Sequence, residues 1–298
     1  MKRVLVTGAS GFFGRHCLND LRMRGYEVHA CARNIIDQAD VTWHNVDLMR
    51  GGAASDLVNM VRPTHMLHFA WDVGSGFWSS PDNISWAATT LAMVRTFHLS
   101  GGKRFVAAGT CAEYDWTTIH DYLNESADRK PATFYGEAKD STRRLIESYS
   151  KEAGLSFAWG VLFLSFGSHE RSERLVPSVI QDLLAGRTAK TTAGIQVRDL
   201  LDSRDVAAAF SALLDCAVDG SVNIASGQPI ALRDVIERLG IITGRSELLE
   251  LGAVPMRLNE PARLVADVTR LRKEVGFVQR ISLDRGLEDA VDWWRLHQ

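Results

Sequence analysis

At 298 residues, with 46% hydrophobic and 23% charged side chains, the chain has the composition of an ordinary soluble globular protein and excludes a disordered or fibrous one. A formal charge of −2 leaves no basic excess, so nucleic acid is not an expected partner. Cys17, Cys31, Cys111 and Cys216 are scattered without a CxxC pair, which argues against a zinc site or a disulfide framework and fits a reducing cytoplasm. Met1 leads directly into a strand-like segment, and no apolar run approaches the roughly 18 residues of a membrane span. Neither export nor insertion is therefore expected, and the expected location is cytoplasmic.

In chain order, short β-branched or apolar runs at residues 3–7, 26–32, 41–46, 65–70, 104–108 and 156–163 predict strands. Helical patterns fall between them at 12–24, 53–61, 84–99 and 132–152. Strands alternating with helices imply parallel pairing, and right-handed crossovers put helices on both faces of one sheet. The fold class is α/β, a Rossmann-type doubly wound parallel sheet. After Phe163 the rhythm loosens. A helix is expected behind Pro177, a strand at 194–202, a helix at 203–217 capped by Ser203, and a helix at 267–277 ended by Gly276. Residues 1–162 are expected to form a dinucleotide-binding domain and 163–298 a smaller, interleaved substrate-binding lobe. The segment at about 195–217 returns to the first part, and no Pro/Ser-rich linker divides the two.

Gly8, Gly11 and Gly14 stand three residues apart, between the first strand and the first helix. Gly8 permits the tight turn, Gly11 lets backbone approach a pyrophosphate, and Gly14 allows helix to pack closely on strand, with open N–H groups facing the anion. Ser10, Phe12 and Phe13 belong to the same turn and are counted among the cofactor contacts. NAD-binding units carry an acidic residue about 20 positions on, at the second strand's tip, to hold the ribose. That tip here is Ala32 followed by Arg33, which could pair with a 2′-phosphate. NADP is the expected cofactor, with NAD as the alternative. The plainer reading of Arg33 is a solvated strand-end charge.

The glycine turn, "VDL" at 46–48, "HFAW" at 68–71, "AAGTCAEY" at 107–114, "TFYGEAK" at 133–139 and "VRDLLD" at 197–202 occur in order. With these motifs, nearly the whole chain resembles the extended short-chain dehydrogenases/reductases, the group of nucleotide-sugar epimerases, dehydratases and reductases. The resemblance implies a catalytic set of Thr110, Tyr135 and Lys139. Independently of it, Tyr135 and Lys139 are i and i+4 on one helix face, where an ammonium is expected to acidify the phenol. The resemblance further implies that Asp47 and Leu48 lie by the adenine, and that His68, Phe69, Ala70 and Trp71 line the cofactor cleft. On the substrate side it implies Trp71, Thr110, Cys111, Glu113 and Arg198, the last as a diphosphate contact, with Arg257 as a second. A lobe-internal ion pair is the alternative for Arg198. A nucleotide-diphosphate sugar is the implied partner, and relatives are often homodimers.

Departures from the family pattern narrow the reaction. Dehydratases place an acid/base pair directly after the threonine, where this chain has Cys111 and Ala112, and Glu113 comes one place late. Trp86 and Leu164 fall where many relatives carry asparagines. Together with Ala32 and Arg33, these features favour an NADPH-dependent ketoreductase of a nucleotide-activated 4-keto-6-deoxy sugar, with a nucleotide-sugar epimerase next. A non-catalytic cofactor sensor is the reading from another class, disfavoured because it needs no proton donor. The aromatic segment at 71–86, with Trp116 and His120, reads equally as a sugar-binding wall or as a lid packed on its own tryptophans.

Overall fold

A computed structural model describes residues 2–36, 38–118, 120–256 and 260–297. Six strands, β1 (Lys2–Thr7), β2 (Tyr26–Ala32), β3 (Thr42–Asn45), β4 (His65–His68), β5 (Arg104–Thr110) and β6 (Ser156–Leu162), alternate with four helices. The helices are α1 (Gly14–Met23), α2 (Ala53–Val61), α3 (Asp82–Leu99) and α4 (Phe134–Ala153). Beyond them come β7 (Leu164–Phe166), α5 (Leu175–Leu184), β8 (Ala189–Thr191), β9 (Val197–Asp202), α6 (Ser203–Asp215) and β10 (Gly220–Ile224), then α7 (Leu232–Thr243), α8 (Thr269–Lys273) and α9 (Leu283–Leu296).

The central sheet is seven-stranded and parallel, in the order β10-β6-β5-β4-β1-β2-β3. Both faces are covered, which is why Val4, Leu5 and Val6 form a continuous apolar run rather than an alternating one. α1 packs against α6 on one side, and α2, α3 and α4 pack in succession on the other. A second core lies under α5, α7 and α9, where Phe166, Ile180, Leu183, Val235, Leu239 and Leu287 meet. β7 pairs with β9 outside the main sheet.

Three local expectations are corrected. The main sheet gains β10, whose register on β6 runs from Gly220 opposite Ala158 to Ile224 opposite Leu162. α6 is capped by Asp202, whose carboxylate accepts from the Arg204 N–H at 2.8 Å, and Ser203 is already helical. The extended backbone of Asp202 aims its carboxylate at the first helical turn, so it supplies the oxygen expected from the serine. The helix before Gly276 contracts to the five residues of α8. No helix among the described residues is long and apolar enough to cross a membrane.

Candidate active site

The glycine turn is built on steric necessity. Gly8 has φ +67°, and a methyl group there would stand 2.9 Å from the Ala70 nitrogen. At position 14 a methyl would stand 2.4 Å from the Gly8 carbonyl oxygen and 2.7 Å from Ala9 Cα. α1 starts without a side-chain cap, so its first N–H groups are left for an anion. Phe13 holds the N-cap position, with its ring beside Phe12 and Phe69. Ser10 and Gly11 turn their carbonyls to Arg15, whose guanidinium donates to both. Arg15 is a cation on the cradle that motif reading passes over, since it falls one place after the third glycine. Gly14→Ala should lower both thermal stability, by about 1–3 kcal/mol, and nicotinamide-cofactor binding in a fluorescence titration.

At the tip of β2, Ala32 is buried and Arg33 is exposed; the guanidinium of Arg33 has no partner among the described residues. The Asp47 carboxylate accepts from the Met49 N–H at 3.0 Å, and Leu48 is buried beside it. Phe69 stands edge-on to Phe210, and the Ala70 N–H points at Thr7 Oγ1, so the end of β4 abuts the glycine turn. His68 does not line the cleft as the motif implied. It is buried between Thr7 Oγ1 at 2.7 Å and Thr90 Oγ1 at 3.1 Å, and burial lowers its pKa to about 3, leaving it neutral.

Thr110 ends β5 and caps a single 3₁₀ turn, Cys111–Glu113, accepting from the Ala112 N–H at 3.2 Å. Thr133 caps α4 by accepting from the Gly136 N–H, which starts the helix just ahead of Tyr135. Gly136 brings that helix against the turn, because a methyl there would stand 2.4 Å from the Ala112 carbonyl oxygen. One helical turn on, Lys139 Nζ donates to the Ala108 carbonyl of β5 at 2.9 Å and sits 4.0 Å from the centre of the Trp71 ring. Tyr135 and Lys139 thus converge on the carboxyl end of β5.

The expected acidification of Tyr135 is absent. The residue is only 7% exposed, and burial holds its phenol above the usual range, opposed by the Thr110 hydroxyl. Its ring is boxed edge-on by Phe77, Trp78 and Trp71 at 4.8, 5.7 and 6.4 Å between centroids. Burial acts on Lys139 too, lowering it to about 7 against the opposing pull of Glu113.

Segment 71–86 packs on its own aromatics and on Tyr135. Trp71 donates to Asn83 Oδ1 at 2.8 Å and stacks on Trp86, while Trp78 meets Trp116 edge-on. Arg174, just before α5, lays its guanidinium 5.4 Å from the Phe77 ring centre, and its charge favours the Tyr135 phenolate. No motif marks Arg174; the only available signal was a cation close before Pro177.

Several expected substrate contacts are corrected. Glu113 is 0% exposed: it accepts from the Thr110 N–H at 2.8 Å, from Trp159 Nε1 at 2.9 Å and from Arg129, so it faces inward. Cys111 is not among the corrected contacts, being 7% exposed like Tyr135, and burial pushes its thiol up to about 12. Arg198 is 3% exposed and commits its guanidinium to Glu260 at 2.8 Å and to the Val197 carbonyl, the lobe-internal pairing. Arg257 lies outside the described residues. No group of three or more His, Cys, Asp or Glu among the described residues is arranged to hold a metal ion.

A family model described as the NAD dependent epimerase/dehydratase family matches residues 4–225. The chain belongs to the NAD-dependent epimerase/dehydratase family. It is 25% identical to the UDP-glucose 4-epimerase of Halalkalibacterium halodurans, over 99% of this chain and 96% of that one. It is also 25% identical to a trifunctional UDP-glucose 4,6-dehydratase/UDP-4-keto-6-deoxy-D-glucose 3,5-epimerase/UDP-4-keto-L-rhamnose-reductase of Arabidopsis thaliana. That match covers 98% of this chain and 47% of the relative, so the chain spans about half of that protein. Among solved structures, the Bacillus cereus UDP-glucuronic acid 4-epimerase in complex with UDP-glucuronic acid and NAD superposes with a TM-score of 0.86. That alignment covers 99% of this chain and 100% of the other at 21% identity, and this family member therefore shares its fold.

Proposed function

We propose that this family member is an NADPH-dependent reductase of a nucleotide-activated keto-sugar, with a 4-keto-6-deoxyhexose as the sugar class. The observation that carries this is the meeting of Thr110, Tyr135 and Lys139 at the end of β5, with Glu113 of the same turn tied to Arg129. Elimination of water needs a base and an acid beside the ketone. Cys111 and Ala112 are buried in those two positions, and Glu113 is tied to Arg129. Reduction needs, besides the hydride a bound NADPH would supply, only a proton donor.

The bare glycine turn, uncapped α1 and Arg33 would hold the cofactor, which when bound supplies the hydride. Tyr135 delivers the proton to the keto oxygen, and burial keeps its phenol in the protonated state that donation requires. Thr110 already accepts from the Ala112 N–H, so its own proton is available to the same oxygen. Lys139 uses one N–H on Ala108 and has two for ribose hydroxyls. Arg174, beside Phe77, takes the substrate diphosphate in place of Arg198.

A nucleotide-sugar epimerase is the second reading, favoured by the names of the H. halodurans relative and the B. cereus neighbour. Incubation with a nucleotide-linked 4-keto-6-deoxyhexose and NADPH distinguishes the two. Stoichiometric loss of nicotinamide absorbance is expected for the reductase; interconversion of UDP-sugars without net cofactor consumption would replace it with the epimerase. Arg33→Ala should weaken NADPH relative to NADH by about tenfold, the size of one charged hydrogen bond, and equal loss for both would remove the NADP assignment.

A further inference from the structure

The walls around Tyr135 and Lys139 are tied to one buried amide that the proposed chemistry does not use. Asn83, in the first turn of α3, is 2% exposed. Its Oδ1 accepts from Trp71 Nε1 at 2.8 Å, and its Nδ2 donates to the Phe77 and Ser80 carbonyls at 2.8 and 2.9 Å. Both amide protons are thereby used, and the amide oxygen has the indole as its partner. The face of the same indole lies 4.0 Å from Lys139 Nζ, which also donates to the Ala108 carbonyl at 2.9 Å. Trp86, one turn further along α3, stacks on Trp71 and gives the ring a neighbour, whereas the hydrogen bond to Asn83 gives it a direction. From α3 to the ammonium every step is therefore a contact: amide to indole N–H, then indole face to cation.

We propose that Asn83 is a positioning residue for Lys139: it fixes the edge of the Trp71 indole, and the face of that ring sets where the ammonium stands. This rests on the ribose-holding role given above to Lys139. A cation is attracted to the face of a tryptophan and not to its edge, so the attraction depends on how the ring is turned. Nζ carries three N–H groups, one of them spent on Ala108. The indole wall limits where the others can turn, so the ammonium is pre-set for the cofactor instead of being ordered on binding. In Asn83→Ala the Trp71 N–H loses its acceptor while still buried, a cost that turning the ring relieves. The turned ring no longer presents its face to Lys139.

The test is a double-mutant cycle on NADPH binding by the full chain, read by fluorescence titration of the cofactor. Asn83→Ala should weaken binding about fivefold, the scale of one cation–π contact, and Trp71→Phe should weaken it at least as much. In the Trp71→Phe background Asn83→Ala should cost less than about twofold, because no indole N–H remains to be held. Losses that multiply, or unchanged binding by Asn83→Ala, overturn the proposal, since an amide serving only the Phe77 and Ser80 carbonyls would cost the same in both backgrounds. The spectroscopic check is the Trp71 indole N–H signal of the 15N-labelled chain, assigned by its loss in Trp71→Phe. In Asn83→Ala it should move upfield while the indole signals of Trp293 and Trp294 on α9 stay; an unmoved Trp71 signal overturns the proposal. If alanine at this position prevents folding, Asn83→Ser replaces it in both measurements, because its hydroxyl still donates to a carbonyl of the turn. Failure of the parent to bind NADH or NADPH at all rejects the oxidoreductase reading and this role with it, whereas binding by the parent with multiplied losses rejects Asn83 alone.

Discussion

Tyr135→Phe should abolish turnover, by about a hundredfold to ten-thousandfold, while leaving NADPH binding nearly intact. The phenylalanine ring fits the same aromatic box, edge-on to Phe77, Trp78 and Trp71, so folding is preserved. Only the hydroxyl is lost, and with it the group that burial keeps protonated beside Thr110. Steady-state rates and a fluorescence titration of cofactor check this together. A variant with unchanged rate removes Tyr135 as the acid; one that loses cofactor binding makes its role structural.

Lys139→Met should lose activity to a similar extent and gain stability in a defined pH window. The ammonium is buried against Trp71, and burial lowers its pKa from 10.5 to about 7. The folded state therefore releases this proton more readily than the unfolded chain. The destabilisation is complete below about pH 7, declines as pH rises from there to 10.5, and vanishes above. Thermal denaturation should accordingly find Lys139→Met more stable than the parent at about pH 6, with the difference shrinking toward about pH 10. A difference that grows with pH would reverse the sign. On the proposed role of the Lys139 ammonium in holding ribose, the activity of the parent should fall as pH rises past about 7.

The elements of the candidate cofactor site are legible because their causes are local. A buried strand, a turn that admits no Cβ at Gly8 and Gly14, and the i, i+4 spacing of Tyr135 and Lys139 are all set within a few residues. β10 escapes pattern reading because Asn223 interrupts its short apolar run. That asparagine is fully buried, and its carbonyl accepts from Tyr114 Oη at 2.7 Å while its amide donates to the Leu123 carbonyl. Glu113 reads as a candidate substrate contact until its partners assemble from 16 and 46 residues away. The pairing of Arg198 with Glu260 likewise spans 62 residues. For Tyr135 the spacing identifies the residue but not its acidity. Segment 71–86 folds over the phenol, and desolvation outweighs the Thr110 hydroxyl and the charge of Arg174.

The most direct measurement is transfer of label from [4-2H]NADPH to a nucleotide-linked 4-keto-6-deoxyhexose, read by mass spectrometry of the product. With the unmodified chain the reduced sugar should carry deuterium, and with Tyr135→Phe transfer should disappear. Product free of label, or undiminished transfer by Tyr135→Phe, would contradict proton delivery from Tyr135 to a carbonyl held at the end of β5.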